Sequence, residues 1–109
     1  MEIMSVDTDV ARAEDEPVTL GVDIELTGAL VARAGARQAR VGVPEGSTVA
    51  DAIRAWADRS GEHLRFALLE GERLRSDVLA RRVSGSRDER LVASEAVRNG
   101  DTVRFEYRE

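Results

Sequence analysis

Apolar residues alternate with polar ones at the start of the ordered pattern: Val18, Leu20, Val22, Ile24 and Leu26 are separated by Thr19, Gly21, Asp23, Glu25 and Thr27. Successive side chains of a strand point to opposite faces, so this spacing predicts a half-buried β-strand. The same period returns at the other end of the chain. There the turn dipeptide Asn99-Gly100 leads into a strand with Val103, Phe105 and Tyr107 on one face and Thr102, Arg104 and Glu106 on the other. A third alternating run, roughly residues 37–43, places Ala39, Val41 and Val43 inward and stops at the turn Pro44-Glu45-Gly46. Residues 28–35 between the first two strands read as a connector with a helical turn before Gly35.

After Gly46 the period lengthens. Val49, Ala52, Ile53, Trp56 and Ala57 recur at helical spacing and form one apolar stripe, with Trp56 in the core. Thr48 and Asp51 have the spacing of a capping box, and Gly61 is a natural C-terminal stop. Arg54 and Asp58, one turn apart, are expected to pair on the exposed side. Past Gly61 the pattern is less decisive. Residues 62–69 fit a short helix or a strand, Glu70-Gly71 a turn, and 78–83 a further strand. The polar run 84–90 fits a flexible hairpin or loop, with Leu91 and Val97 anchoring the approach to the last strand. The order β-β-α, then one or two strands, then β, is that of an α+β domain.

Charge divides the chain. Residues 1–16 hold six acids against one arginine, whereas from Pro17 onward 15 acids balance 15 arginines. Residues 1–16 are therefore read as a disordered acidic leader and 17–109 as the domain. A balanced domain lacks the basic surplus that nucleic-acid binding needs. No apolar run is of membrane-spanning length and no signal pattern opens the chain, so the expected location is cytoplasmic.

Candidate chemistry is sparse. Cysteine is absent, which excludes disulfides, thiolate metal sites and thiol nucleophiles. Every basic residue is arginine, so no lysine can form a Schiff base or accept an isopeptide bond. His63, the one histidine, has Glu62 beside it but no second catalytic group, and reads as a solvated or capping residue. Glu70, Glu72 and Asp77 have oxygen ligands for a cation, yet Arg73 and Arg75 among them indicate a mixed-charge surface. The run 42–46 lacks the glycine spacing and lysine of a phosphate loop. Arg81, Arg82, Arg87 and Arg90 suggest an anion or acidic-partner patch, which Asp88 and Glu89 dilute. No nucleophile–base set or cofactor fingerprint can be assembled. The expectation is a protein that is not an enzyme, with no metal or cofactor of its own.

Three segments carry a resemblance. Val41-Gly42-Val43-Pro44-Glu45-Gly46-Ser47-Thr48-Val49-Ala50-Asp51 resembles the strand, turn and helix start of the sulfur-carrier branch of the ubiquitin-like β-grasp superfamily, the MoaD/ThiS group. Gly71-Glu72-Arg73-Leu74-Arg75-Ser76-Asp77-Val78 is similar to the segment leading into that group's middle strand. Val97-Arg98-Asn99-Gly100-Asp101-Thr102-Val103 is similar to its entry into the last strand. The resemblance implies a mixed sheet of four to five strands packed on one main helix. It also implies that the first and last strands lie parallel and adjacent, which brings Asp23 and Glu25 near Arg104.

In that group a C-terminal glycine is adenylated and converted to a thiocarboxylate that donates sulfur. This sequence closes on Arg108-Glu109 instead, so no functional residue carries over. The expected role is non-covalent binding to a larger protein, as accessory subunit or adaptor of an enzyme of a biosynthetic or sulfur-transfer pathway. The alternative is a sulfur carrier with an atypical or processed C-terminus. The expected contact surface is the exposed sheet face and last strand: Asp23, Glu25, Arg104, Glu106, Tyr107, Arg108 and Glu109. Removing residues 1–16 should leave the thermal melt nearly unchanged; a large drop in Tm would mean that the acidic leader packs on the domain.

Overall fold

The two alternating runs at the ends of the chain meet in the middle of one sheet. In the computed structural model, which describes residues 18–108, β1 (Thr19–Leu26) and β7 (Thr102–Tyr107) run parallel, with Ile24 opposite Val103 and Leu26 opposite Phe105. β2 (Gln38–Pro44) adds antiparallel to β1 on one side. β5 (Val78–Ser84) and then β6 (Arg87–Leu91) add on the other, giving the order β2-β1-β7-β5-β6. A short hairpin of β3 (Leu69–Glu70) and β4 (Arg73–Leu74) stands apart from this sheet. The acidic leader, Pro17 and Glu109 lie outside the described residues.

All three helices cover one face. α1 (Ala29–Ala34) fills the connector after β1, and α2 (Val49–Ser60) is the main helix. α3 (Glu62–Leu68) follows directly after Gly61. The sequence pattern predicts one main helix; α1 and α3 supplement it because Leu30, Ala34, Leu64, Ala67 and Leu68 also have core positions to fill. Segment 62–69 resolves as helix to Leu68 and strand from Leu69. The inward positions of the sheet, among them Val22, Ile24, Val41, Val103 and Phe105, meet the stripe of α2, where Ile53 and Trp56 are buried. The polar run 84–90 is a regular hairpin: Arg87 to Leu91 pair with β5 even though only Leu91 is buried.

The start of α2 shows how local and distant bonds combine. The first-turn N–H groups of a helix lack intrahelical acceptors. Here Asp51 N–H donates to Thr48 Oγ1 (3.2 Å), and the Asp51 carboxylate accepts from Thr48 N–H (3.0 Å), which is the capping box foreseen from the sequence. The remaining donors go to the distant loop before β7: Val49 N–H to Glu95 O (2.9 Å) and Ala50 N–H to Ala93 O (3.0 Å). Arg54 turns to Asp51 (3.1 Å), one turn back, and not to Asp58. The acid it meets is the one already fixed by the cap.

Arg82 holds that same loop in place. Val78, Ala80 and Arg82 all point to the helix side of β5, and the Arg82 side chain is only 7% exposed. Its guanidinium donates to Asp101 Oδ2 (3.0 Å), Glu89 Oε1 (2.9 Å) and Ala96 O (2.8 Å). Burial alone would pull its pKa down, but the bonds to Glu89 and Asp101 more than offset this and leave it raised. Arg82 is therefore an interior strut and not part of a surface anion patch.

Two substitutions test this packing. Trp56→Ala should cost about 3–5 kcal/mol, because a large buried ring leaves a cavity that its neighbours cannot fill. Arg82→Ala should cost about 3 kcal/mol by removing the cation from the largely buried Asp101 carboxylate, which keeps its bond from Arg98 N–H, and Arg87→Ala at the exposed hairpin should cost almost nothing. Chemical denaturation midpoints check all three, and an unaltered midpoint for Arg82→Ala would refute the strut.

Candidate interaction surface

Among the described residues no helix lies on the second face of the sheet, where charged side chains stand among Leu79, Val83, Thr102 and Gln38. Alternation sends Asp23 and Glu25 of β1, Arg40 of β2, Arg104 and Glu106 of β7 and Arg81 of β5 to this side. Register then decides the pairing. Glu25 stands opposite Arg104, and its carboxylate accepts from Arg104 Nε at 3.1 Å. Asp23 stands opposite Arg40, which reaches it at 3.4 Å. The expected approach of both acids to Arg104 thus holds for Glu25 alone, since Asp23 lies two residues away from it and beside a nearer cation.

Arg104 also stands opposite Arg81, a like-charge juxtaposition that costs stability when left alone. Each of these arginines takes its own acid: Arg104 takes Glu25, and Arg81 takes Glu106 at 2.7 Å. The hydrogen bond to Glu106 raises the Arg81 pKa above its ordinary value. The side chains of Glu25, Arg104, Arg81 and Glu106 are half-buried, so the lattice is ordered while its polar edges remain open to solvent. Exposed ion pairs of this kind add little stability each; their alternating signs instead define a pattern that a complementary surface can read.

The other expected contact residues lie elsewhere. Tyr107 points to the helix side with Val103 and Phe105, and its hydroxyl accepts from Arg33 Nη1 of α1 at 3.1 Å. That bond raises the Arg33 pKa. Arg108 leaves the sheet and is held by its N–H to Asp77 O (2.8 Å) beside the β3–β4 hairpin. Glu109 is outside the described residues. Four of the seven residues therefore share the open face: Asp23, Glu25, Arg104 and Glu106. Arg81 and Arg40 join them, and strand parity with cross-strand register is the signal that finds both.

Among the described residues no three His, Asp or Glu side chains converge as metal ligands. Of the three acids considered as cation ligands, Asp77 pairs with Arg75 at 3.2 Å and Glu72 lies 3.9 Å from Arg54, while Glu70 sits exposed in β3. His63 is exposed at the start of α3. No helix among the described residues is long and apolar enough to cross a membrane.

No protein-family model matches the chain, and no curated protein matches it. Solved structures do. A crystal structure of small archaeal modifier protein 1 from Haloferax volcanii superposes with a TM-score of 0.67 at 24% identity, covering 83% of this chain and 99% of that one. A second crystal structure of that modifier gives 0.63 at 26% identity, covering 78% and 91%. A Pyrococcus furiosus protein assigned as molybdopterin converting factor, subunit 1, gives 0.60 at 22% identity, covering 83% and 99%. The strand order, the capped main helix and these likenesses agree: in fold, this chain is a ubiquitin-like β-grasp of the MoaD/ThiS-like type.

Proposed function

We propose that this chain acts by binding a larger protein non-covalently, as an accessory subunit or adaptor of an enzyme, through the open face of its sheet. The observation that carries the reading is the lattice of Asp23, Arg40, Glu25, Arg104, Glu106 and Arg81 on a face that no helix among the described residues covers. Its charges are held in place by strand register, so a partner of complementary pattern meets them without first ordering long side chains. The Pyrococcus furiosus neighbour, by its name one subunit of a converting factor, supports a subunit role.

The likeness to a small archaeal modifier favours a second reading, a sulfur carrier with an atypical or processed C-terminus. Gentle purification from the native host, followed by native and denaturing mass spectrometry, separates the two. An unmodified chain that travels with a stoichiometric larger protein supports the subunit reading. A C-terminal mass change, whether loss of residues, adenylation or sulfur in place of oxygen, supports the carrier.

Charge reversal tests the face itself. Arg104→Glu places an acid between Glu25 and Arg81 on a half-buried, solvent-facing position of the open face, so the fold should survive while partner retention falls by at least about tenfold. Retention equal to that of the wild type would remove the open face from the interface.

A further inference from the structure

A cleft of about 500 Å³ opens between the β3–β4 hairpin and the end of β6, away from the centre of the charged lattice. Its floor is apolar. Val78 and Leu91 form the buried base, Leu74 is half-buried, and Val92 stands 56% exposed at the mouth. Its rim is cationic, with Arg73, Arg90 and Arg108 all exposed. The cleft is braced by backbone bonds: Arg75 N–H to Leu68 O (3.0 Å), Val78 N–H to Arg75 O (3.0 Å) and Arg108 N–H to Asp77 O (2.8 Å).

Of the acids at this rim, Asp77 is engaged, while Glu72 lines the cleft and is largely exposed. Asp77 accepts from Arg75 Nε at 3.2 Å, and Glu72 leans toward Arg54 at 3.9 Å. Among the described residues Arg73, Arg90 and Arg108 make no ion pair. Three guanidiniums thus surround an apolar floor in a protein whose formal net charge is −5. A volume of this size is in the range of a ligand pocket, and arginine forks fit carboxylates in bidentate geometry.

We propose that this cleft binds an acidic, amphipathic peptide segment of a partner protein, with apolar side chains on Leu74, Val78 and Val92 and carboxylates on Arg73, Arg90 and Arg108. Charge complementarity selects this occupant. A nucleic acid needs a broad basic field, which a chain of net charge −5 does not offer, and it has no use for the apolar floor. A small monocarboxylate engages one guanidinium and leaves the others unmatched. The cleft adjoins the open face, since Arg90 stands opposite Arg81, and its test therefore uses Arg73, Arg108 and Val92, which lie outside the lattice.

The test is fluorescence anisotropy with the full chain and a short fluorescein-labelled peptide in which leucine alternates with aspartate. Two companion peptides replace leucine with serine or aspartate with lysine. Saturable binding of the first peptide alone is expected. The double variant Arg73→Glu/Arg108→Glu should raise Kd by at least about tenfold. Val92→Ser, on an exposed position that folding does not need, should weaken binding several-fold. Arg87→Glu, with the same type of charge reversal outside the cleft, and Arg104→Glu on the open face should both leave Kd unchanged. Absence of saturable binding, equal binding of the serine peptide, or an unaltered Kd in both cleft variants would overturn the proposal. So would a large gain in peptide affinity on deleting residues 1–17, because the acidic leader of the chain itself would then be the occupant.

Discussion

The parallel contact between β1 and β7 is the constraint around which the rest of the chain is arranged. Thr27 donates through both its N–H and its Oγ1 to Phe105 O, across 78 residues of sequence. Closing so long a loop is entropically costly, and parallel strands need a crossover between them where antiparallel ones can use a tight turn. All three helices take the same side on that excursion, which buries Ile24, Leu26, Val103 and Phe105 beneath them. The bare second face is the other half of the same fact.

Adjacent arginines on β5 show how the two faces divide their chemistry. Arg81 turns outward and completes the surface lattice with Glu106, whereas Arg82 turns inward and ties Asp101, Glu89 and Ala96 O together. The same guanidinium group thus forms a solvent-facing ion pair on one side and an interior strut on the other. Ala96 belongs to the loop whose carbonyls receive the first-turn N–H groups of α2, so the buried arginine links the main helix to the sheet through that loop. The open face can consequently accept charge changes that the interior cannot.

Much of this fold was legible from period and capping. The alternation of Leu20 to Leu26, the stripe from Val49 to Ala57 and the Thr48–Asp51 box each describe a local rule that the tertiary structure obeys, whereas Val18, expected inward, precedes β1 and is 55% exposed. β6 was harder to read because Arg87, Asp88, Glu89 and Arg90 carry no apolar period; an outer strand of a sheet is satisfied by backbone pairing alone. Arg82 was hidden by its identity. Its parity with Val78 and Ala80 marks an inward position, but an arginine is buried only when distant acids meet it, and Asp101 is not visible from local spacing. The same limit applies to the surface. The Glu25–Arg104 match followed from the expected strand pairing, whereas Arg40 and Arg81 became members of the lattice only once register placed them beside Asp23 and Glu106. The cleft is assembled from three segments distant in sequence, so no local pattern announces it.

The two outer strands also share a property. Asp23 N–H bonds to Asp101 O on the β7 side, so the opposing residue Arg40 turns its own backbone groups outward; Arg59 of α2 donates to that outward carbonyl at 2.9 Å. At the other border β6 presents an unbroken series of charged residues from Arg87 to Arg90. An unguarded border is a template on which copies of a chain stack into fibrils. With a carbonyl of the first border bonded to a side chain and the second border electrically mixed, neither edge is a flat apolar template for a further strand.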